Sequence, residues 1–383
     1  MFQITLEKIV GGGQTLGTLD DGRKVFVWGG LPGETVEVRI TKKKSRMVEA
    51  VVERVITPSP ERIAPADPDS YLSTSPWQIM TFEAEQRYKA QLIDESFLLH
   101  HVSLPNATTV YTDSVEFSYR NKVEFSWFGD TDAISGVDTL DLAFFRRGSK
   151  GKFIVDGTSL ARKEINQLAK AVRDLLRTKD ISARNLKTLM IRSDQAGSCV
   201  WQLYLKDELS DIITDDEATK LPAQGGEVIY SNPKSPASVI TKRLASFGDT
   251  TLSDRILDTP FRYAIEGFFQ VNIPVYEQAL RDMQQWIPSD KPTVDMYSGV
   301  GTIGLTIGGQ GTTLVEINEH AVREMQRNIT ELNRPATAVL AASEQALDYI
   351  TSDRTIIVDP PRAGLHADVV ERLLDQKPSR IVY

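Results

Sequence analysis

Beyond residue 275 the chain repeats one arrangement: a short apolar run, a turn, then a stretch with helical spacing. Thr293 to Tyr297, Thr313 to Ile317, Val339 to Leu340 and Thr355 to Val358 are the apolar runs, while Ile303 to Ile307 and Ala321 to Leu332 are the helical segments. Parallel strands need a crossover between them, so this alternation predicts a parallel sheet covered by helices. Asp295, Glu316 and Asp359 stand at the ends of three of these runs. Open parallel sheets bind ligands at the carboxyl ends of their strands, which makes the three acids markers of one ligand edge.

The first run leads into Asp295-Met-Tyr-Ser-Gly-Val-Gly-Thr-Ile-Gly304. Gly299, Gly301 and Gly304 let the backbone approach a ligand closely, and the helix that follows is expected to offer free amides to it. Glu316 closes the next strand, where a carboxylate can accept hydrogen bonds from two ribose hydroxyls. The reading is an adenosyl ligand without phosphate; a dinucleotide is the alternative for this loop alone. Further on, Ile356-Ile-Val-Asp-Pro-Pro-Arg-Ala-Gly364 ends another strand in an acid and two stiffening prolines.

The N-terminal part is different. Residues 1 to 57 alternate apolar and polar positions in short runs, Phe2 to Ile9, Lys24 to Val27, Glu34 to Ile40 and Met47 to Ile56, which predicts a small β-barrel. Lys42, Lys43, Lys44 and Arg46 lie between two of its strands. Such a basic loop suits oligonucleotide binding, although an isolated charge run is most often a solvated hairpin tip. Pro58, Pro60, Pro65, Pro68 and Pro76 read as an extended linker, and Trp77 to His101 as an amphipathic helix. Residues 115 to 265 look mainly β, with one helix over Glu164 to Arg177. The expected domains are a barrel at 1–57, a linker and helix at 58–108, a central α+β domain at 109–262 and a doubly wound Rossmann-like domain at 263–383.

These residues resemble the uracil-5-methyltransferases of transfer and ribosomal RNA over essentially the whole length. The barrel looks like that family's RNA-binding TRAM domain. Tyr119-Arg-Asn-Lys-Val-Glu-Phe125 and Phe144-Phe-Arg-Arg-Gly-Ser149 look like its central motifs, and Gly267-Phe-Phe-Gln-Val-Asn272 is the most specific match. The resemblance implies an S-adenosylmethionine-dependent enzyme that methylates carbon 5 of a uridine in ribosomal or transfer RNA. It implies cofactor contacts from Gln270, Tyr297, Thr302, Glu316, Ser343 and Asp359. For RNA it implies Phe268 near a base, with a core position as the alternative; the accompanying physical picture puts Arg120 and Lys122 at phosphates, unless they are ordinary strand surface, and Asp359 on the flipped uracil.

Two departures follow. Relatives often hold an iron-sulfur cluster on four cysteines, three of them just before a Trp-Gln pair; here that stretch is Pro68-Asp-Ser-Tyr-Leu-Ser-Thr-Ser-Pro-Trp-Gln78, and the only cysteine is Cys199. The expectation is a protein without such a cluster, its second domain held by packing. The resemblance also implies a cysteine nucleophile that adds to carbon 6 and a glutamate base, both placed after the strand that begins Arg380-Ile-Val-Tyr383, where the sequence ends. No catalytic residue is therefore named, and a protein that binds RNA and cofactor without turnover is the alternative. An amino-directed methyltransferase usually places an aromatic residue after the strand-end prolines; here that place holds Arg362.

Composition sets the remaining limits. A net charge of -8 excludes a protein coated in positive charge but not a local basic surface. Cys199 reads as a small packing residue, and His100, His101, His320 and His366 lack metal spacing, so no metal site is expected. Nothing resembles a leader or a membrane span, and the expectation is a cytoplasmic monomer with an RNA partner.

Overall fold

The computed structural model describes residues 1–130 and 139–383. They form two compact units, Met1–Ser118 with Phe125–Thr188, and Tyr119–Glu124 with Leu189–Tyr383. The barrel and the parallel sheet each lie within one unit, whereas the residues expected to form a central domain are divided between the two.

In the first unit, β1 (Phe2–Ile9), β2 (Thr15–Thr18), β3 (Lys24–Trp28), β4 (Thr35–Lys43) and β5 (Met47–Thr57) close into a barrel in the order β1-β2-β3-β5-β4. Alternate residues turn inward, so Ile4, Leu6, Val25, Val27, Val36, Val38, Val48 and Ala50 make one core while their charged neighbours face water. Closure leaves no room beside Leu6: a Cβ on Gly30 would meet its Cδ1 at 2.2 Å.

The proline-rich stretch read as a linker is anchored instead. Prolines remove backbone donors, and side chains from elsewhere supply the bonds. Arg62 donates to the fully buried Glu34 through Nε at 2.5 Å and to the Gly29 carbonyl at 2.9 Å. The Asp67 carboxylate accepts from the Ser159 N–H and hydroxyl, both at 2.9 Å, and from the Thr158 hydroxyl at 2.8 Å. Its own N–H donates to Gln78 Oε1 at 3.0 Å. A short helix, α1 (Tyr71–Thr74), follows, and then the expected amphipathic helix α2 (Phe82–Leu99), whose first turn is capped by the Thr81 hydroxyl. In the region expected to be mainly β from residue 115, the first strand starts only at Lys122, because Ser118 has a φ of +57° and gives its N–H to the Ser159 carbonyl. Antiparallel β6 (Lys122–Phe128), β7 (Asp141–Phe145) and β8 (Lys152–Ile154) are followed by α3 (Lys163–Leu176), which buries Ile165, Leu168, Val172 and Leu176.

The second unit continues from β9 (Leu186–Ser193) through β10 (Cys199–Leu205), the short α4 (Asp215–Ala218), β11 (Gly225–Tyr230) and β12 (Lys242–Gly248). β10 and β11 are parallel, and β11 and β12 antiparallel. Cys199 is buried at the start of β10. After the hairpin β13 (Thr251–Ile256) and β14 (Thr259–Ala264) come α5 (Ile273–Gln284), β15 (Thr293–Met296), α6 (Thr302–Ile307), β16 (Thr312–Glu316), α7 (Glu319–Glu331), β17 (Ala336–Leu340), β18 (Thr355–Val358), α8 (Ala367–Gln376) and β19 (Arg380–Val382). The last five strands form a wholly parallel sheet in the order β17-β16-β15-β18-β19. Both faces are buried, with Leu314 and Ile357 in one core and Val294, Met296, Ile356 and Val358 in the other. The chain leaves β17 at one edge and returns past β15 to build β18, so the direction of winding reverses between β15 and β18. A crevice at the carboxyl ends of those two strands is the consequence. Among the described residues no helix is long and apolar enough to cross a membrane.

Asp67→Ala is expected to lower the unfolding free energy by about 2 kcal/mol or more, since four donors, the Ser159 N–H and hydroxyl, the Thr158 hydroxyl and the Gln78 amide, lose their acceptor at once, and Asp67→Asn by less. Urea unfolding midpoints of the two variants would check this; unchanged midpoints would show that the stretch is held by something else.

Candidate functional site

Asp295, in β15, is completely buried. Its Oδ2 accepts the Gly304 N–H at 2.9 Å, and its Oδ1 has no hydrogen-bond partner among the described residues. Burial, with Asp359 and Glu316 adding repulsion, pushes its carboxyl up to about 7. The three strand-end acids therefore share one field. Asp359, just beyond β18, is also raised by desolvation. Glu316 ends β16 and accepts the N–H groups of Gly299, at 2.9 Å, and Asn318, at 2.8 Å. A carboxylate offers about four acceptor sites, so two remain for ligand hydroxyls.

Between these acids runs the glycine turn. Tyr297, Gly299 and Gly301 have φ values of +65°, +56° and +90°, which is why two of the three are glycine. A Cβ on Gly299 would meet nothing within 4 Å, so space lies open beside it. The amide expected to face a ligand at Gly304 is spent on Asp295 instead. Tyr297 holds its strained backbone with a hydroxyl 2.8 Å from Ser343 Oγ, which brings two of the expected cofactor residues together. Thr302 Oγ1 lies 2.8 Å from the hydroxyl of Tyr276, on α5. Tyr276 was not foreseen; its burial beside Asp295 and Asp359 raises its pKa and places it at this edge.

The Gly267–Asn272 segment is fixed from beneath. Phe269 is buried and stacks on Tyr263, with ring centroids 3.9 Å apart, whereas Phe268 is 70% exposed. Arg192, only 1% exposed, donates to the carbonyls of Gly267 at 2.8 Å and Phe269 at 3.2 Å. Asn121 donates to the Gln270 carbonyl at 2.9 Å, and Asn272 caps α5 through the Val275 N–H. Gln270 thus has a pinned backbone, and among the described residues no hydrogen bond ties its side chain to the glycine turn. Arg192 and Asn121 also escaped sequence reasoning, since their partners lie 75 or more residues away.

Lys122 is half-buried, with Glu124 at 3.8 Å. Desolvation, helped by the Arg192 charge, lowers its pKa to about 8. Arg120 turns its Nε back to the Lys122 carbonyl at 3.3 Å. Glu266, next to the Gly267 segment, is bound by Arg243 and Gln202, which joins the segment to a network reaching Glu227 and Tyr204.

The residues present fit S-adenosylmethionine. Glycine spacing cannot separate it from a dinucleotide, because Gly299, Gly301 and Gly304 follow the dinucleotide pattern too. Charge does. Three acids, one of them with an unpartnered buried oxygen, suit a ligand bearing an ammonium and a sulfonium and oppose a pyrophosphate. Ile317, 69% exposed directly after Glu316, offers an apolar surface of the kind an adenine ring covers.

Asp295 gives this site a pH signature. A carboxyl raised from 3.8 to about 7 by folding contributes stability that is fully present below pH 4 and is lost as pH rises through 7. Asp295→Asn keeps an acceptor for Gly304 and removes the titration. Its stability relative to the parent is expected to rise by on the order of 2–4 kcal/mol between pH 4 and 7.5. Parallel urea midpoints at the two pH values would contradict this.

Comparison with known proteins agrees with this architecture. The TRAM domain family matches residues 2–52. A Chlorobaculum tepidum protein named as an uncharacterized RNA methyltransferase is 27% identical over 96% of this chain and 84% of its own length. One from Fusobacterium nucleatum, named likewise, is 25% identical over 100% and 86%. The crystal structure of the Pyrococcus abyssi tRNA (uracil-54, C5)-methyltransferase in complex with S-adenosyl-L-homocysteine superposes with a TM-score of 0.78 at 19% identity, covering 99% of this chain and 89% of that one. The chain thus carries a TRAM domain at its N-terminus, is similar over nearly its whole length to proteins named as RNA methyltransferases, and has the fold of the Pyrococcus abyssi tRNA (uracil-54, C5)-methyltransferase.

Proposed function

We propose that this protein transfers the methyl group of S-adenosylmethionine to carbon 5 of a uridine in transfer or ribosomal RNA. The observation that carries the reading is the meeting of Asp295, Glu316 and Asp359 at the winding reversal of the sheet, in the same unit as a clamped loop that exposes Phe268. Glu316 accepts from ribose hydroxyls, Tyr297 and Ser343 line the adenosine end, and Thr302 and Gln270 complete the contacts with the cofactor. Bound S-adenosylmethionine supplies an activated methyl group on a sulfonium with a neutral leaving group. The protein's task is then orientation and exclusion of water. Phe268 stacks on an RNA base, which its exposure allows, and Asp359, whose carboxyl desolvation raises above its ordinary value, hydrogen-bonds the flipped uracil. Arg120 and Lys122 face phosphates.

Calorimetry with S-adenosylhomocysteine tests the cofactor half. Binding is expected, weakened about ten-fold or more in Glu316→Gln; no heat with the folded parent protein would sink the reading. Methyl transfer to uridine-containing RNA, with the product mapped to carbon 5, tests the other half. Heat without transfer would favour binding without turnover.

Lys122 provides a further check. Its pKa is lowered from 10.5 to about 8, so its charge is present at pH 7 and fades toward pH 9. RNA affinity is expected to fall several-fold over that interval, and Lys122→Arg, which stays charged, to flatten the fall. Equal pH profiles for the two proteins would remove Lys122 from the RNA contacts.

A further inference from the structure

The turn between β7 and β8 is built unlike an ordinary hairpin tip. Arg147 lies across the ring of Trp28, in the barrel strand β3, with Cζ 4.1 Å from the centroid, and its Nε donates to the Leu72 carbonyl at 2.6 Å. Gly148 has a φ of +74°, and a Cβ there would meet Thr41 Cγ2, on β4, at 2.8 Å. Ser73 Oγ donates to the Phe145 carbonyl at 2.5 Å. These contacts seat the turn on the barrel beside the β4–β5 loop, all within the first unit.

That seating gathers exposed cations around an exposed ring. Phe145 ends β7 with 63% of its surface in water, an unusual place for a phenylalanine; the half-buried Lys152, whose Nζ donates to the Trp127 carbonyl at 2.7 Å, stands 4.9 Å from its ring centroid and is not one of the free cations. Arg146, whose Cζ is 4.1 Å from the Phe153 centroid, and Lys150 flank it. Across the Thr41–Gly148 contact lie Lys42, Lys43, Lys44 and Arg46, all exposed. None of Lys42, Lys43, Lys44, Arg46, Arg146 and Lys150 forms an ion pair among the described residues. Glu49 stands opposite Lys42 in the β4–β5 register, and Asp21, bound by Arg23, also attracts Lys43. In a chain of net charge -8 this is a local reversal of sign.

We infer that the β7–β8 turn and the β4–β5 loop form one ledge for single-stranded RNA, with Phe145 stacking on a base and the surrounding cations tracking the backbone. The inference rests on the methyltransferase reading only for the identity of the strand it holds. An exposed aromatic face amid unpaired cations is what a single strand requires, because its bases are free to stack and its phosphates are not neutralised. A duplex offers the same charge but no free base, and an acidic peptide offers charge without rings.

Fluorescence anisotropy with a labelled uridine-rich 12-mer, its duplex and poly-glutamate decides among them, using the full chain. Phe145→Ala is expected to weaken single-strand binding about ten-fold and Phe145→Trp to retain it, with little effect of either on the duplex. The triple variant Lys42→Ala, Lys43→Ala, Lys44→Ala is expected to reduce the slope of log affinity against log salt by about 2. Binding of the 12-mer by Phe145→Ala within two-fold of the parent, equal losses on duplex and single strand, full competition by poly-glutamate, or no 12-mer binding by the parent would each overturn the ledge. Unfolding midpoints and S-adenosylhomocysteine heats of the variants control for folding. They also separate the two readings: intact cofactor binding with RNA affinity indifferent to Phe145 removes only the ledge, whereas a Phe145-dependent affinity without cofactor binding removes only the methyltransferase.

Discussion

The cofactor edge depends on one buried carboxylate. Asp295 sits where solvent cannot reach it, and its single hydrogen bond, from Gly304, ties the end of β15 to the first turn of α6. That bond sets the path of the glycine turn between them, and the path in turn puts Tyr297 into a left-handed backbone and aims the Gly299 N–H at Glu316. An acid buried with one oxygen unsatisfied is a poor choice for stability alone. It becomes reasonable when a cation is to arrive, because the ligand then supplies the charge and the hydrogen bond that folding leaves out.

The Gly267–Asn272 segment is arranged by the opposite device, a buried cation. Arg192 cannot reach water and spends its guanidinium on two backbone carbonyls of the Gly267–Asn272 segment. With Phe269 driven into the core against Tyr263, the neighbouring Phe268 has to point outward. Exposure of that ring is thus a consequence of packing on the residue next to it, and the energy that keeps it in water comes from the core.

How much of this could be read from the sequence depended on range. The barrel and the parallel sheet were legible because alternation in Phe2–Ile9 and buried runs such as Thr355–Val358 report local periodicity. The acids Asp295, Glu316 and Asp359 were legible because strand ends in such a sheet fall on one edge. The side chains that hold the site were not. Arg192 looks like any strand arginine until its partners 75 and 77 residues later are known, and Tyr276 looks like one more apolar position of α5. The resemblance put Phe268 near a base, but the burial of Phe269 against Tyr263, which fixes that exposure, was not legible. The prolines between 58 and 76 suggested a free linker because the hydroxyls that bind Asp67 belong to residues 158 and 159.

The Asp67 junction stands where the resemblance implies three cysteines beside Trp77 and Gln78. Here a carboxylate, two hydroxyls and two N–H groups do the joining. None of these atoms has an electron to surrender at biological potentials, so the joint they form is indifferent to dioxygen.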